Sequence, residues 1–497
     1  MNGDFEIKYE DLAGRIGVLH TRHGKLETPA FFPVIDPSDT TITPKDLKSL
    51  GFDNFITNAY FLKKMQISST IHSFFNTDQI IMTDSGAYQI LEYGNVDVTN
   101  KEIVEYENLI LPDIGVILDI PTGNSNKVEK VKYSVEETIK RGKEVESVID
   151  NERIVWLHPI QGGYNLELLS FSAKMADSAN KYKMLGLGSP TVLMKEYNYV
   201  KLVEMIYTAK SNVSRGKALH LFGAGLPHVF PIAVILGVDT FDSASYILYA
   251  RNGRYITEGR VYKLDQLDYF PCSCNVCSRY LPKELKEMEY QDRTRLLSIH
   301  NLIKISEEIK RIKIAIREGR LFEYAEEKSL VHPSLYDSFN RLKKYKEYLE
   351  NYDRRTGEKG IFLITRNSLW RPEITRHKTF MKNYKVEKNS IILIDGLKIR
   401  KPFISSEFVR NIREKFPEAE VLIFYPYFGL IPINVSEIYP LSQFENSKSL
   451  EYEVKRDLLK TLAEFCKSND SKQITIYASA KLAKKIERIC KAELHYI

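Results

Sequence analysis

The chain has 497 residues, 43% of them hydrophobic and 27% charged, which allows about three ordinary domains with real cores and fits a water-soluble protein. Its longest apolar run, near "VFPIAVILGV", falls well short of the ~20 residues that a membrane-spanning helix needs, and the acidic start "MNGDFEIKYEDL" has no apolar signal stretch. A net charge of +6 is compatible with an RNA partner but too small to point to one by itself.

The first 30 residues, "FEIKYEDLAGRIGVLHTRHGKLETP", alternate in polarity and turn near Gly14 and Gly24, which predicts a small antiparallel β piece. A different rhythm follows. Eight short apolar runs are centred on 29–35, 52–58, 79–84, 113–119, 153–159, 183–189, 218–224 and 237–242. Most are followed by segments with helical spacing and a charged face, such as "SVEETIKRGKEVESVID". Strands alternating with helices indicate a parallel sheet, and eight units in roughly 250 residues predict a (β/α)8 barrel; an open doubly wound sheet is the alternative.

Three predicted strands end in an acid: "IIMTD" at Asp84, "IGVILD" at Asp119, and "GVDTFD", which carries Asp239 and ends at Asp242. In a barrel those strand ends ring one mouth, so the acids converge. Glycines at Gly162–Gly163, Gly186, Gly188, Gly223 and Gly225 would let a flat ligand approach the backbone. Each aspartate alone also reads as an ordinary turn or cap residue. Two carboxylates facing one sugar carbon support glycosyl chemistry, one attacking C1 and the other moving the proton of the leaving group. Asp119 would then pair with the donor edge of a base, and Tyr88 would offer a stacking face. Arg251, Arg254, Arg260 and Lys263 follow directly and read equally as phosphate contacts or as a solvated loop.

Next comes "FPCSCNVCSRY". Cys272 and Cys274 can face one ion, a turn brings Cys277 back, and His300 on a later helix can close a tetrahedron. Three thiolates and one imidazole suit Zn²⁺ and leave no open position, which marks a structural site. Cys466 and Cys490 are the only other cysteines and read as small buried hydrophobes, with no disulfide framework and a reducing compartment expected. Apolar residues at 296, 299, 302, 305, 309, 312 and 316 predict one long amphipathic helix stopped near Gly319. A boundary is expected near residue 325. Residues 326–497 then form an α/β or α+β appendage with strands in "GIFLIT", "SIILID", "EVLIFYP" and "QITIYA".

The motifs "MTDSGAYQ", "LDIPT", "IQGG", "LGLGSP", "HLFGAGLP", "GVDTFDSASY" and "PCSCNVC" with its downstream His resemble, in this order, the tRNA-guanine transglycosylases. The tail "FDSASYILYARNGRY" is similar to the archaeal branch, and the resemblance is dense over about residues 1–320. It implies a TIM barrel with a zinc-binding subdomain at about 265–320, a homodimer, and exchange of guanine at position 15 in the tRNA D-arm for 7-cyano-7-deazaguanine, on the route to archaeosine; the cytoplasmic location is expected from the cysteine usage alone. By motif it implies Asp242 as the nucleophile on ribose C1′ and Asp84 as general acid/base. It also implies Asp119, Gln161, Gly188, Ser85 and Tyr88 as the base site, and one structural Zn²⁺ per subunit on Cys272, Cys274, Cys277 and His300.

The chain departs from the family pattern in places. Tyr88 stands where Phe is usual, and Gly188-Ser189-Pro190-Thr191 where archaeal members tend to read Gly-Ala-Val-Val; Pro190 removes an N–H from that pocket. No PUA domain of the longer archaeal members is recognisable, so a separate protein carrying one is a possible partner. The competing readings are an archaeosine-synthase-like paralogue, which lacks the paired acids, a retaining glycosidase on free sugars, and a non-catalytic RNA-binding protein.

Overall fold

The structure, a computed structural model, describes residues 2–87, 97–125 and 127–497. Three strands open the chain: β1 (Phe5–Asp11), β2 (Gly14–Thr21) and β3 (Gly24–Glu27), paired antiparallel in that order. Eight parallel strands then form one sheet: β4 (Ala30–Pro33), β5 (Asn54–Asn58), β6 (Ile80–Asp84), β7 (Ile114–Val116), β8 (Val155–Ile160), β9 (Met184–Leu187), β10 (Ala218–Leu221) and β11 (Thr240–Ser243).

Their order is β4-β11-β10-β9-β8-β7-β6-β5. A parallel bridge between Val34 and Ile56, with Ile35 N–H donating to Ile56 O at 2.8 Å, joins the two ends of that list. The sheet is therefore a nearly closed barrel, and the open doubly wound alternative is excluded. Each strand is covered on both faces, which is why runs such as "VWLHPI" are buried at every position and mostly apolar rather than alternating. Inside, Phe32, Ile56, Met82, Val116, Leu157, Met184 and Ala218 pack with Leu19 and Leu26 of the initial antiparallel piece, so that piece plugs one end of the barrel.

Polar side chains start the outer helices. Thr99 and Glu102 exchange backbone N–H bonds as a capping box, and the Asn58 and Asn165 side chains cap the helices that follow them. After β11 come the two-stranded piece β12 (Arg254–Ile256) and β13 (Val261–Lys263), the cysteine segment, and the helix Tyr290–Glu318. That helix ends at Gly319, whose φ of +71° suits glycine. Arg295 pairs with Asp46 and Lys313 with Glu27 at 2.6 and 2.8 Å, tying the helix to the barrel. Residue 325 falls inside the helix Leu321–Ser329, and the compact first unit runs on to Leu342.

The second unit holds residues 318–320 and 343–497. Strands β14 (Ile361–Leu363) and β18 (Phe444–Asn446) pair in parallel. Its main sheet has the order β17 (Gly429–Pro432), β16 (Ala419–Tyr425), β15 (Ser390–Asp395), β19 (Gln473–Ala478) and β20 (Glu493–Tyr496), parallel except for β17. Ile392, Ile394, Val421 and Ile423 enter one core, while Ile391, Leu393, Leu422 and Phe424 enter another. Period-two alternation with both sides buried makes this a three-layer α/β unit.

One expectation fails here. Cys466 and Cys490 are not free buried thiols: they form a disulfide across 24 residues of sequence. Cys466 closes the helix Tyr452–Ser468 and Cys490 follows the helix Ala480–Ile486, so only the packing of those two helices brings the thiols together. The inference of a reducing compartment from unpaired cysteines therefore loses its basis, since intracellular disulfides are also common in hyperthermophiles. No helix among the described residues is long and apolar enough to cross a membrane.

Candidate active site and metal centre

At the C-terminal ends of the barrel strands lies a cavity of about 640 Å³. Asp84, Asp119, Asp242, Gln161 and Gly188 all line it. Ser85 does not; it is fully buried behind Asp84, and its hydroxyl has no partner among the described residues. Tyr88 lies outside the described residues. Asp239, three residues before Asp242, goes to the opposite end of the strand and binds Arg15 through both oxygens, at 2.7 and 2.8 Å. An odd separation along a strand reverses the side-chain direction, so only Asp242 reaches the cavity.

Asp242 is held by two donors on one oxygen. Oδ1 accepts from the Gly223 N–H at 2.8 Å and lies 3.0 Å from His220 Nε2. His220 is wholly buried, and its Nδ1 sits 2.9 Å from Thr240 Oγ1. An ionised carboxylate only accepts, so Nε2 carries the hydrogen, and the Thr240 hydroxyl partners Nδ1. His220, Thr240 and Asp242 form one inward-facing row because His220 pairs with Thr240 in the β10–β11 register. The chain positions were visible in the sequence, but His220 sits in the apolar run "ALHLF" and reads there as a packed residue.

Asp84 is driven away from ionisation. Burial, then the negative charges of Asp242 and Asp119, raise it to about 7, while the N–H groups of Gly86 and Ser85 pull it back only partly. Burial likewise raises Asp119 to about 6, moderated by a hydrogen bond from Gln161. Gln161 Oε1 accepts from Thr122 N–H, Thr122 Oγ1 and Ser189 Oγ at 3.0, 3.0 and 3.2 Å. The oxygen is thereby committed, and the amide Nε2–H₂ faces Asp119. A side chain at Gly188 would meet Gln161 Nε2 at 2.2 Å, so this neighbour must be glycine for Gln161 to sit where it does. The Gly188 N–H is spent on Ile160 O at 3.0 Å. Asp36, Asp39 and the Asp39–Arg251 ion pair border the same cavity and went unremarked in the sequence.

In the cysteine segment, Cys272, Cys274, Cys277 and His300 bring one ligand atom each within 4.8 Å of all the others. His300 Nδ1 lies 3.5 Å from Cys274 Sγ and 3.4 Å from Cys277 Sγ. Two ligands of a tetrahedral ion with bonds of about 2.3 and 2.0 Å are roughly 3.5 Å apart, so the spacing fits a metal. His300 Nε2 is 2.9 Å from Ile256 O, which fixes the tautomer that leaves Nδ1 free to bind. Tyr255 stacks on the His300 ring at 3.8 Å and places its hydroxyl 3.2 Å from Cys277 Sγ. Four protein ligands complete a tetrahedron. The grouping of His23, His72 and Asp113 is different: Asp113 accepts from Ile81 N–H, His23 N–H and both imidazoles, a satisfied bolt at the plugged end of the barrel.

A parallel barrel whose C-terminal mouth gathers a donor-held carboxylate and a second carboxyl poised near neutrality defines an enzyme of the paired-carboxylate, glycosyl-transfer type. The chain belongs to the family described as queuine tRNA-ribosyltransferase, whose model matches residues 11–334. It is 50% identical over 487 residues to the tRNA-guanine(15) transglycosylase of Sulfolobus acidocaldarius, covering 97% of this chain and 96% of that protein. It is also 50% identical over 499 residues to that of Saccharolobus solfataricus, covering 98% and 99%. The protein of the same description from Thermococcus onnurineus is longer: it is 39% identical over 455 residues, which span 90% of this chain but 72% of that one.

Proposed function

We propose that this protein exchanges guanine at position 15 of the tRNA D-arm for 7-cyano-7-deazaguanine through a covalent aspartyl–ribose intermediate. The observation that carries the reading is the pairing of Asp242, fixed through Oδ1, with Asp84, held near neutrality by burial and then by the charge of Asp242. Asp242 Oδ2 attacks C1′ as the bond from C1′ to the guanine nitrogen breaks, and protonated Asp84 gives its proton to the departing base. In the second half the N9–H of the incoming base passes its proton to Asp84. N9 then attacks C1′ and releases the Asp242 carboxylate. One glycosidic bond replaces another, so no energy-rich cosubstrate is consumed.

The charge coupling helps at both steps. As Asp242 becomes an ester its negative charge disappears, which makes Asp84 a stronger acid just as a proton is needed. As the ester breaks, the charge returns and Asp84 becomes the stronger base. Asp119 and the Gln161 amide form the acceptor–donor pair that meets the N1/N2 and O6 edges of the purine; Gly188 makes room for it, Tyr88 completes the base site, and Ser85, off the cavity, serves it only through its N–H to Asp84. The thiolates of Cys272, Cys274 and Cys277 with His300 hold one structural Zn²⁺ per subunit. The exposed Tyr269, Leu281 and Tyr290 around that segment support a homodimer. A tRNA substrate supports a cytoplasmic location, and a separate PUA-domain protein is a reasonable tRNA-binding partner.

The test is base release. tRNA carrying labelled guanine at position 15 is incubated with the protein and unlabelled 7-cyano-7-deazaguanine. Stoichiometric release of label supports the reading, and no release from zinc-loaded, folded protein contradicts it.

A further inference from the structure

The overall charge of +6 hides a division. Residues 1–342 carry 41 Lys/Arg against 45 Asp/Glu, whereas residues 343–497 carry 30 against 20. The unit that holds the cavity is thus net negative, and five aspartates line that cavity against two cations, Lys195 and Arg251. A net-negative unit attracts a polyanion less than the second unit, which carries ten more cations than acids, so the second unit is where a general electrostatic grip is to be sought.

Within that unit one face stands out. Lys481, Lys484, Lys485 and Arg488 step by three and four along the helix Ala480–Ile486 and its last turn, and all are exposed, as is Lys491 beyond. Ala483, Ile486 and Cys490 fill the other side and are buried against Leu462, Cys466 and Ile476. Some cations elsewhere in the unit pair with acids, as Lys378 does with Asp457, Arg376 with Asp353 and Arg366 with Glu453. Those on 481–491 share a single acid, Glu487. Like charges at positions 481/485 and 484/488 destabilise a helix by a few tenths of a kcal/mol each, so fold stability does not explain them. The disulfide to Cys466 pins the end of the segment.

We infer that the face formed by Lys481, Lys484, Lys485, Arg488 and Lys491 docks the phosphate backbone of tRNA. This rests on the exchange reaction proposed above, and it adds where the substrate is gripped. Residues 481 and 488 are about 10 Å apart along a helix, the axial rise of roughly three nucleotides in one strand. The apolar side of the helix is committed to the core, which disfavours insertion into a lipid surface.

The test uses the full chain with Lys481, Lys484, Lys485 and Arg488 all changed to Ala. As a control, Lys130, Lys132, Lys140 and Lys143, exposed cations of the first unit, are changed to Ala instead. Equilibrium binding of unmodified tRNA is measured from 50 to 300 mM KCl, and label exchange is followed at saturating tRNA. The expected result is a Kd raised about tenfold or more for the first variant. The slope of log Kd against log salt should shrink by about 3, from four lost contacts at 0.7–0.9 each. Exchange at saturation should stay within twofold of wild type, and the control should change the slope by less than 1. If the first variant binds tRNA like wild type, or loses no more than the control, the docking face is wrong while the exchange reaction stands. Wild-type protein that binds tRNA tightly but exchanges no base contradicts the function and leaves the docking face supported.

Discussion

Replacing His220 by Phe removes two hydrogen bonds, to Asp242 and to Thr240, and little else. His220 is fully buried, with Phe222 and Phe32 around its ring at centroid distances of 4.5 and 6.3 Å, so a phenyl ring fills its space without opening a cavity. The lost contact that reaches the cavity is the Nε2–H donated to Asp242 Oδ1, while the Gly223 N–H to the same oxygen remains; the buried Thr240 hydroxyl also loses its partner, which lowers stability but does not touch the carboxylate. A hydrogen bond to a charged group contributes about 1.5–3 kcal/mol. On the proposed reaction it would hold the carboxylate in attacking geometry and share its charge as the ester breaks. The single-turnover rate of exchange in His220→Phe should therefore fall about 10- to 150-fold. KM for tRNA should change little, because His220 touches no solvent. His220→Gln offers an amide donor in the same direction and should recover most of the loss. A purely structural role would instead lower the melting temperature in both variants and leave the rate of the folded fraction intact. A folded His220→Phe protein exchanging within threefold of wild type at saturating tRNA and base would refute the reasoning.

Asp84 sets a pH signature with a definite sign. Its folded-state value, about 7, lies above the unfolded value of 3.8, so the folded protein binds the extra proton and gains stability as pH falls from above 7 towards 4. Asp84→Asn should thus raise the melting temperature at pH 8, raise it clearly less at pH 5, and abolish exchange; equal shifts at both values would contradict the assignment. Cys274→Ser, or a strong chelator, should lower the melting temperature by several degrees or more, because structural metal binding is coupled to folding; a fully stable but inert variant would show that the metal acts in the reaction. Replacing Cys466 and Cys490 together by Ser opens a 24-residue loop, worth about 3 kcal/mol on the loop-entropy model. Denaturant unfolding should show that loss, while exchange at saturating tRNA stays near wild type.

The barrel was largely legible because both of its signals are local. Each strand is a short apolar run, and three of the five acids in the cavity, Asp84, Asp119 and Asp242, are legible because they stand where such a run stops. The cysteine cluster was legible through spacing alone. What stayed hidden depends on pairing between distant segments. His220 gains meaning only from the β10–β11 register that sets it beside Thr240, and the disulfide only from two helices meeting. Asp239 was grouped with Asp242, although the period of two along a strand already sends the two side chains in opposite directions. Strands β17, β18 and β20 are three or four residues long and carry no run to detect. The charge division was present in the sequence but invisible in a total of +6 until the unit boundary was known.

The central claim is that Asp242 forms a bond to ribose C1′. Protein is mixed with tRNA in the absence of an incoming base and quenched in denaturant, and the RNA-linked peptide is mapped by mass spectrometry after digestion. The account predicts an adduct that survives the denaturant, maps to the peptide containing Asp242, disappears in Asp242→Asn, and is chased to free modified tRNA by added 7-cyano-7-deazaguanine. An adduct on any other residue, or full exchange by Asp242→Asn, would contradict it.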